Sequence, residues 1–394
     1  MKKQIMLFFL FLLSVFCCSK TDNGTLPVID VLGPTSGSIE NLSDIAENIQ
    51  FISLETTPES LIGNINGIAV KHDGSIFVGY SLKKVGCFNS EGRYLYTLDK
   101  EGRGPGEYIG FFDFDVSEDG DYITVIGEKI DIYDINGGIF NHVRTVQFNN
   151  PEKPFSIELT SKDNKMILPY YSSHGTEPYK CLILSFEGDT LGFRQNFYKY
   201  EKPPNFSYTS FEENIIYQLG DNVYLFNDLS DTIFEITDKN EFSPHMILNR
   251  GEKSLKVQDR ENLTENIDVF EFVDQFLRFR RLFESERYVY GLYRFERQKH
   301  AFIFDKENQQ KYRVDGMKFF TDDLSGGINF EPKYYNNGFV YSWVDAITLK
   351  NHVASDEFKN SVPKIPEKRQ QLVELTDNLE ETDNPVLVVV KLKK

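Results

Sequence analysis

The chain has 394 residues, of which 60 are acidic and 43 basic, so its formal net charge is −17. Such an acidic surface repels phosphate backbones and anionic lipid headgroups, which argues against nucleic acid binding and against electrostatic docking on a membrane. Four cysteines in a chain of this length do not make a disulfide scaffold.

The first residues predict export. Lys2 and Lys3 precede the apolar stretch 5–16, which is shorter than the roughly 20 residues that a membrane span needs. The segment 13–18 resembles a bacterial lipobox. We therefore predict that residues 1–17 are a cleaved signal peptide and that Cys18 is the lipidated first residue of the mature protein, with an uncleaved anchor helix as the alternative. Acylation at more than one position would anchor the chain stably.

The next segment, residues 18–48, contains Gly, Pro and Ser and is predicted to be a tether between the lipid and the globular part. Beyond the lipidation site only Cys87 and Cys181 remain. Both lie in apolar strand runs, so we expect two buried thiols in different blades, and a disulfide between them is the alternative.

Pairs of short apolar strands recur along the chain with a period of roughly 45 to 65 residues, which is typical of a β-propeller. The leading strand runs cover residues 76–78, 123–125, 166–168, 223–225, 288–290 and 339–341. Several pairs close on Asp-Gly or Asn-Gly turns, such as 73–74, 119–120 and 136–137, which are strong hairpin signals. The repeat predicts a propeller with six blades.

The predicted blades cover residues 61–98, 111–148, 155–197, 208–248, 287–314 and 319–349. Isolated strands at 49–55 and 386–392 predict ring closure, in which one blade takes strands from both ends of a single domain spanning 49–394. A helical insertion is predicted between blades four and five, at 254–284, and a short helix beginning at Pro366 precedes the closing strand. Helical spacing in the insertion involves Val269, Phe272, Val273, Phe276, Leu277 and Arg280.

Three segments carry a family resemblance. They are Gly102-Arg103-Gly104-Pro105-Gly106-Glu107-Tyr108, residues 322–330, and Asp383-Asn384-Pro385-Val386-Leu387. In this order they resemble the six-bladed, NHL/TolB-like β-propeller lipoproteins of Gram-negative gut bacteria. The resemblance covers nearly the whole mature chain and implies a cell-envelope protein at the outer membrane, without an assigned reaction. The third blade and the helical insertion depart from the family pattern.

The glycine-rich loop 102–108 is a candidate ligand site, because its backbone amides can converge and Arg103 can fork onto a carboxylate or phosphate. We take Arg103, Glu107 and Tyr108 as candidate contacts, together with Asp323 and Asn329 from the later connector. The alternative is a structural connector with positive φ at Gly104 or Gly106 and an ion pair between Arg103 and Glu107.

No catalytic residue, metal site or cofactor is predicted. Asp113, Asp115, Asp119 and Asp121 would suit calcium, but apolar residues alternate with them, so Asp113 and Asp115 are expected on one side of a strand. Six histidines lack metal-ligand spacing, and the chain has no Gly-x-Ser-x-Gly nucleophile motif.

These features predict a monomeric, lipid-anchored propeller that binds or scaffolds a protein or small extracellular ligand without catalysis. One alternative is a propeller lyase or hydrolase with a site in the central channel, and another is an accessory lipoprotein of an outer-membrane nutrient-uptake system. Three or more His, Asp or Glu side chains around the axis would favour the enzyme, whereas a channel lined by Phe and Ile would exclude it. Exposure on the periplasmic or outer side stays open.

Overall fold

The computed structural model describes residues 25–148, 153–201, 213–263 and 267–394. The predicted signal peptide and the predicted lipidation site Cys18 lie outside these ranges.

Two strands precede the repeat, and the first three blades follow. The leading strands are β1 (Val28–Asp30) and β2 (Ala46–Ser53). Blade one contains β3 (Ile65–Val70), β4 (Ile76–Tyr80), β5 (Lys84–Phe88) and β6 (Tyr94–Asp99). Blade two contains β7 (Asp113–Val116), β8 (Tyr122–Ile126), β9 (Ile130–Asn136) and β10 (Ile139–Val146). Blade three contains β11 (Glu158–Leu159), β12 (Met166–Pro169), β13 (Tyr179–Leu184) and β14 (Thr190–Gln195).

The second half of the ring is interrupted by helices. Blade four contains β15 (Asn214–Leu219), β16 (Asn222–Asn227), β17 (Thr232–Ile236) and β18 (Phe242–Asn249), followed by helices α1 (Val257–Glu261) and α2 (Val269–Val273). Blade five contains β19 (Arg278–Glu284), β20 (Tyr288–Phe295), β21 (Gln298–Asp305) and β22 (Gln310–Asp315). The last elements are β23 (Tyr334–Asn336), β24 (Phe339–Val344), α3 (Ala346–Ala354), α4 (Asp356–Asn360), α5 (Pro366–Asn378) and β25 (Val386–Leu392).

Blade six closes the ring with strands from both ends of the chain, as the sequence predicts. Its strand order is β2-β25-β24-β23, and β2 pairs antiparallel with β25 in a register that places Ile49 opposite Val390. The strands in the described ranges thus form six sheets, and the predicted six-bladed propeller is confirmed. Closure leaves no blade without a neighbour, which removes the open edge that a linear sheet array would have.

The part of the predicted tether that the structure describes packs on the propeller. Strand β1 joins blade four as a parallel fifth strand, with Val28 opposite Ile247. The ammonium group of Lys311, in blade five, donates hydrogen bonds to the backbone oxygens of Val31 at 2.9 Å and Gly33 at 2.8 Å. Residues 28–33 therefore bridge blades four and five.

The helical insertion is shorter than predicted. Its helices α1 and α2 end before residue 274, and Arg278–Glu284 is the first strand of blade five. Phe276, Leu277 and Arg280, predicted in the helix, therefore lie outside it. Apolar residues at helical spacing do form helix α2, but the same spacing continues by chance toward the following strand. In that strand, Phe279 packs against Phe226 with ring centroids 5.2 Å apart.

Apolar contacts between neighbouring blades hold the ring together. Six clusters of buried side chains run around the described parts of the ring, and each combines residues from two adjacent blades. Cys87 and Cys181 lie in strands of different blades, and both are free and fully buried. Strand β24 of blade six ends at Val344, before the predicted blade boundary at 349, because helix α3 begins at Ala346 and Leu349 is buried from that helix. No helix in the described ranges is long and apolar enough to cross a membrane.

Strand direction gives the propeller two distinct faces. Turns between the first and second strands of each blade, and between the third and fourth, lie on one face, which we call the hairpin face. Turns between the second and third strands and the connectors between blades lie on the other, which we call the connector face. The first strand of each blade lines the axis and runs from the connector face to the hairpin face.

Candidate binding site on the propeller axis

The first strands of the blades, with the residues next to them, enclose a cavity of about 180 Å³ on the axis, which we call the axial cavity. Every blade contributes polar side chains to its wall. One from each blade, in chain order, is Lys71, Asp115, Glu158, Gln218, Arg281 and Asn336. The cavity is therefore a product of ring closure, assembled from residues far apart in the sequence.

Carboxyl groups gather at one side of the axial cavity. Asp115 accepts hydrogen bonds from the backbone N–H groups of Val116 and Leu159, both at 2.7 Å, and lies 3.7 Å from the ammonium group of Lys71. It is mostly buried, at 8% exposure. Asp115 thus connects blades two and three as a hydrogen-bond acceptor.

Glu158 is held toward its neutral form. Burial and, next, the negative charge of Asp115 raise its pKa well above the ordinary range of a glutamate. Its carboxyl group accepts a 2.6 Å hydrogen bond from the side-chain amide of Gln218, which also donates to the backbone oxygen of Leu159 at 2.9 Å. A protonated Glu158 can donate a hydrogen bond to a ligand, which an ionised carboxylate cannot.

Asp113 lies two residues before Asp115 on the same side of β7, as strand alternation predicts. It accepts hydrogen bonds from the backbone N–H groups of Phe114 at 2.9 Å and Ile157 at 3.1 Å. Burial raises the pKa of Asp113 to about 7. Asp119, further along, accepts a 2.5 Å bond from the Ser117 hydroxyl in the hairpin turn. In the described ranges no group of three His, Cys, Asp or Glu side chains is arranged to hold a metal ion.

Cationic side chains from blades five and six also line the cavity. Arg281 forms an ion pair with Glu331 at 2.5 Å. The ammonium group of Lys333 donates to the backbone oxygen of Trp343 at 2.9 Å and lies 4.6 Å from the centre of its indole ring. Burial lowers the pKa of Lys333. Trp343 packs against a cluster of buried side chains from blades six and one.

An aromatic wall completes the cavity. Phe283 and Tyr335 stack with ring centroids 5.1 Å apart and planes 1° from parallel. Burial raises the pKa of Tyr334 well above its ordinary value, and the nearby Glu158 and Asp115 add to the shift. The wall therefore offers flat apolar surface beside groups that donate and accept hydrogen bonds, a combination that suits a small polar ligand.

The glycine-rich loop does not reach the axial cavity. Glu107 accepts a 2.7 Å hydrogen bond from the backbone N–H of Gly104, and the buried Tyr108 donates to the backbone oxygen of Lys83 at 2.9 Å. Gly106 has φ +69°, the positive φ expected of a structural connector at Gly104 or Gly106. Arg103 is exposed and, together with Glu107 and Tyr108, borders a separate cavity of about 220 Å³. Two of the three candidates in this loop are engaged in holding its shape.

The other predicted contacts are separate from the axis as well. Asp323 accepts hydrogen bonds from the backbone N–H of Ser43 at 2.9 Å and its hydroxyl at 2.6 Å, and pairs with Lys364 at 2.9 Å. It therefore fastens the N-terminal segment to the end of the chain. Asn329 is exposed. The structure does not bring these two residues together with Arg103, Glu107 and Tyr108 in one pocket.

The axial residues could have been found only from the repeat. Lys71, Glu118 and Asn336 each stand at or just after the end of a blade's first strand, so a search for polar residues at that recurring position would have selected them. Glu158 has a weaker signal, because it lies in a two-residue strand of the diverged third blade.

A family model described as "Domain of unknown function (DUF4934)" matches residues 26–391. The chain belongs to the DUF4934 family. This DUF4934 protein is similar in structure to a Bacteroides fragilis protein named "Putative exported protein", with 20% identity, a TM-score of 0.67, and coverage of 91% of this chain and 99% of that one. A member of the DUF4221 family from Bacteroides vulgatus matches with 12% identity, a TM-score of 0.53, and coverage of 88% and 97%. No curated protein matches.

The comparisons confirm part of the resemblance seen in the sequence. The DUF4934 assignment and these two structures agree on a propeller family without an assigned function. At 20% and 12% identity the two likenesses establish the fold alone. Lipid anchoring and the outer-membrane location stay predictions from the N-terminal sequence.

Proposed function

We propose that this DUF4934 protein is an exported, lipid-anchored propeller that binds a small polar extracellular ligand in its axial cavity and releases it unchanged. One observation carries the proposal: all six blades direct polar side chains into a single cavity of about 180 Å³. That volume suits a molecule of the size of a hexose or an amino acid. The cavity combines hydrogen-bonding groups of both charges with an aromatic wall, as small-molecule sites do.

Export and anchoring rest on the N-terminus. The basic start, the short apolar stretch and Cys18 support a lipoprotein signal, and the similar B. fragilis protein is named "Putative exported protein". A Cys18→Ser variant should move from the membrane fraction to the soluble fraction of lysed cells. If the variant stays with the membranes as the wild type does, lipid anchoring at Cys18 is wrong.

A partner surface on the connector face is a further part of the proposal. The loop 102–108 and the segment 322–330 both belong to connectors between blades, so they lie on the same face of the propeller. Arg103 and Asn329 are exposed there. Glu107, Tyr108 and Asp323 form hydrogen bonds to backbone groups and so fix the conformation of the surface. A protein partner on this face would leave the axial cavity reachable from the hairpin face.

The enzyme alternative has one observation in its favour. Asp115, Glu118 and Glu158 all line the axial cavity, which meets the number of acidic groups expected of a propeller enzyme, and a neutral Glu158 is the form that a general acid requires. We favour binding because Asp115 is engaged by two backbone N–H groups and by Lys71. Glu118, whose pKa is raised by burial, is then the remaining carboxyl group of the described cavity wall that could act as a base beside Glu158.

The test is thermal unfolding in the presence of single hexoses, hexuronic acids and amino acids. A ligand that raises the melting temperature of the wild type should lose at least tenfold in affinity with Gln218→Ala, which removes the amide beside Glu158. Gln370→Ala, at an exposed position of α5, is the matched control and should bind normally. Equal binding by the wild type and Gln218→Ala would overturn the axial site, and a ligand recovered with altered mass would favour the enzyme.

A further inference from the structure

A second, larger cavity lies beside blade five. It measures about 560 Å³, and we call it the basic cleft. Five cationic side chains line it, against one carboxylate, that of Glu331. The cations are Arg280, Arg281, Arg294, Arg297 and Lys299. In a chain with a net charge of −17, such a local concentration of positive charge needs its own explanation.

A β-bulge makes the basic cleft possible. Between β19 and β20 the register shifts, so that Phe279 faces Tyr293 and Arg281 faces Leu292, with Arg280 as the extra residue. In a regular strand, two consecutive side chains point to opposite sides. The bulge interrupts this alternation, so the side chains of Arg280 and Arg281 both border the basic cleft and the axial cavity.

Like charges also face each other across the strands of blade five. Arg294 on β20 lies directly opposite Lys299 on β21. Like charges in that position destabilise a sheet. The carboxylate of Asp274 lies 2.7 Å from Arg294 and 3.5 Å from Arg297. Across the ranges that the structure covers, no carboxylate lies within ion-pair distance of Lys299.

The size and setting of the basic cleft indicate its ligand. A single sulfate or carboxylate ion would occupy a small fraction of 560 Å³, so the space suits a molecule of several units with repeated anionic groups. Arg and Lys side chains are the groups that bind such oxyanions. The acidic remainder of the surface repels polyanions, which confines their binding to this cleft.

We propose that the basic cleft binds an anionic oligosaccharide through its sulfate or carboxylate groups. The inference deepens the proposed function, because Arg280 and Arg281 border both cavities and a terminal sugar unit could enter the axial cavity while the charged units lie along blade five. Only the entry of a terminal sugar unit into the axial cavity rests on the proposed function. Binding of the charged units is tested separately, through residues that do not line the axial cavity.

The experiment is calorimetric titration of the full mature chain with three tetrasaccharides. One is a sulfated carrageenan fragment, one is tetragalacturonate, and the neutral control is maltotetraose. We expect at least one anionic tetrasaccharide to bind, with an affinity that falls as salt rises, and maltotetraose to bind at least tenfold more weakly. The two anionic arms distinguish sulfate from carboxylate recognition. Equal binding of the neutral sugar, or tighter binding of a short single-stranded DNA than of both anionic sugars, would overturn the proposal.

Charge-removing variants locate the site. Arg297 and Lys299 are exposed, so Arg297→Gln and Lys299→Gln should fold normally and each lower the affinity about tenfold. Lys239→Gln, in an exposed turn of blade four, is the matched control and should have no effect. Glu331→Gln should tighten binding, because it releases Arg281 from its ion pair.

The outcomes separate the two proposals. Unchanged affinity in the Arg297→Gln/Lys299→Gln double variant would overturn the basic cleft and leave the axial site standing. Loss of hexose or amino acid binding in Gln218→Ala, with normal binding of the anionic tetrasaccharide, would show that the cleft holds its ligand independently of the axial cavity. Failure of all three tetrasaccharides to bind overturns this inference alone.

Discussion

Asp228 should be one of the most sensitive positions for stability, because it neutralises two buried arginines where blades four and five meet. Its carboxylate accepts from Arg250 at 2.6 Å and from Arg278 at 3.0 Å. Arg250 is 1% exposed, Arg278 5% and Asp228 0%. The change Asp228→Ala removes the carboxylate and leaves both guanidinium groups in place.

The magnitude follows from those contacts. Two charge-assisted hydrogen bonds at about 1.5 to 3 kcal/mol each give a loss of about 3 to 6 kcal/mol. Breaking one side of a buried ion pair costs about 3 to 5 kcal/mol, which agrees. Arg250 keeps its 2.7 Å contact with Asp231, so we expect about 4 kcal/mol. For a domain of roughly 350 residues, that lowers the melting temperature by about 5 °C.

The assay is thermal unfolding followed by circular dichroism, with Asp228→Asn to separate lost charge from lost volume. Asp228→Asn keeps the shape of the side chain, so it should retain most of the destabilisation if charge is the cause. Asp238→Ala, in an exposed turn of the same blade, should change the free energy of unfolding by less than about 0.5 kcal/mol. An Asp228→Ala melting temperature equal to that of Asp238→Ala would refute the reasoning.

Three further predictions concern single positions. Gly92→Ala should destabilise the protein about 2 kcal/mol more than Gly120→Ala in urea unfolding, because both have positive φ but only at Gly92 would the new Cβ lie 2.1 Å from a β2 carbonyl oxygen. The pKa of Asp113 is raised in the folded protein, so the free energy of unfolding of the wild type should fall as the pH rises from about 4 to about 7. The stability of Asp113→Asn relative to the wild type should therefore increase over that window. A difference between their melting temperatures that does not change with pH would contradict this. Burial raises the pKa of the Cys87 and Cys181 thiols to about 12, so neither should react with a thiol reagent at neutral pH before unfolding, and rapid native labelling would be inconsistent with their burial.

The ring itself was predictable because its signals are local. Asp-Gly and Asn-Gly turns with alternating strands identify individual hairpins, and isolated strands at both ends of the chain indicate closure. The boundary of the helical insertion was not predictable in the same way. Apolar residues from Val269 to Leu277 continue a helical spacing, and only the packing of Phe279 against the next blade shows where the strand takes over.

The central channel was an alternative site from the sequence, but the residues that line the axial cavity escaped prediction for a physical reason. Its wall takes residues from Lys71 to Asn336, one or a few from each blade, and no short motif joins them. Conversely, the eye-catching loop 102–108 has its glycines and Glu107 because the connector must turn tightly between blades. The basic cleft was hidden too, because Arg280 and Arg281 meet on one side only through a bulge.

The most direct test of the axial site is a crystal structure of the mature protein grown with the hexose or amino acid that raises its melting temperature most. We predict density for that molecule in the axial cavity, between Glu158 and Arg281, with a hydrogen bond to the carboxyl group of Glu158. Density at the loop 102–108, with an empty axial cavity, would contradict the central claim.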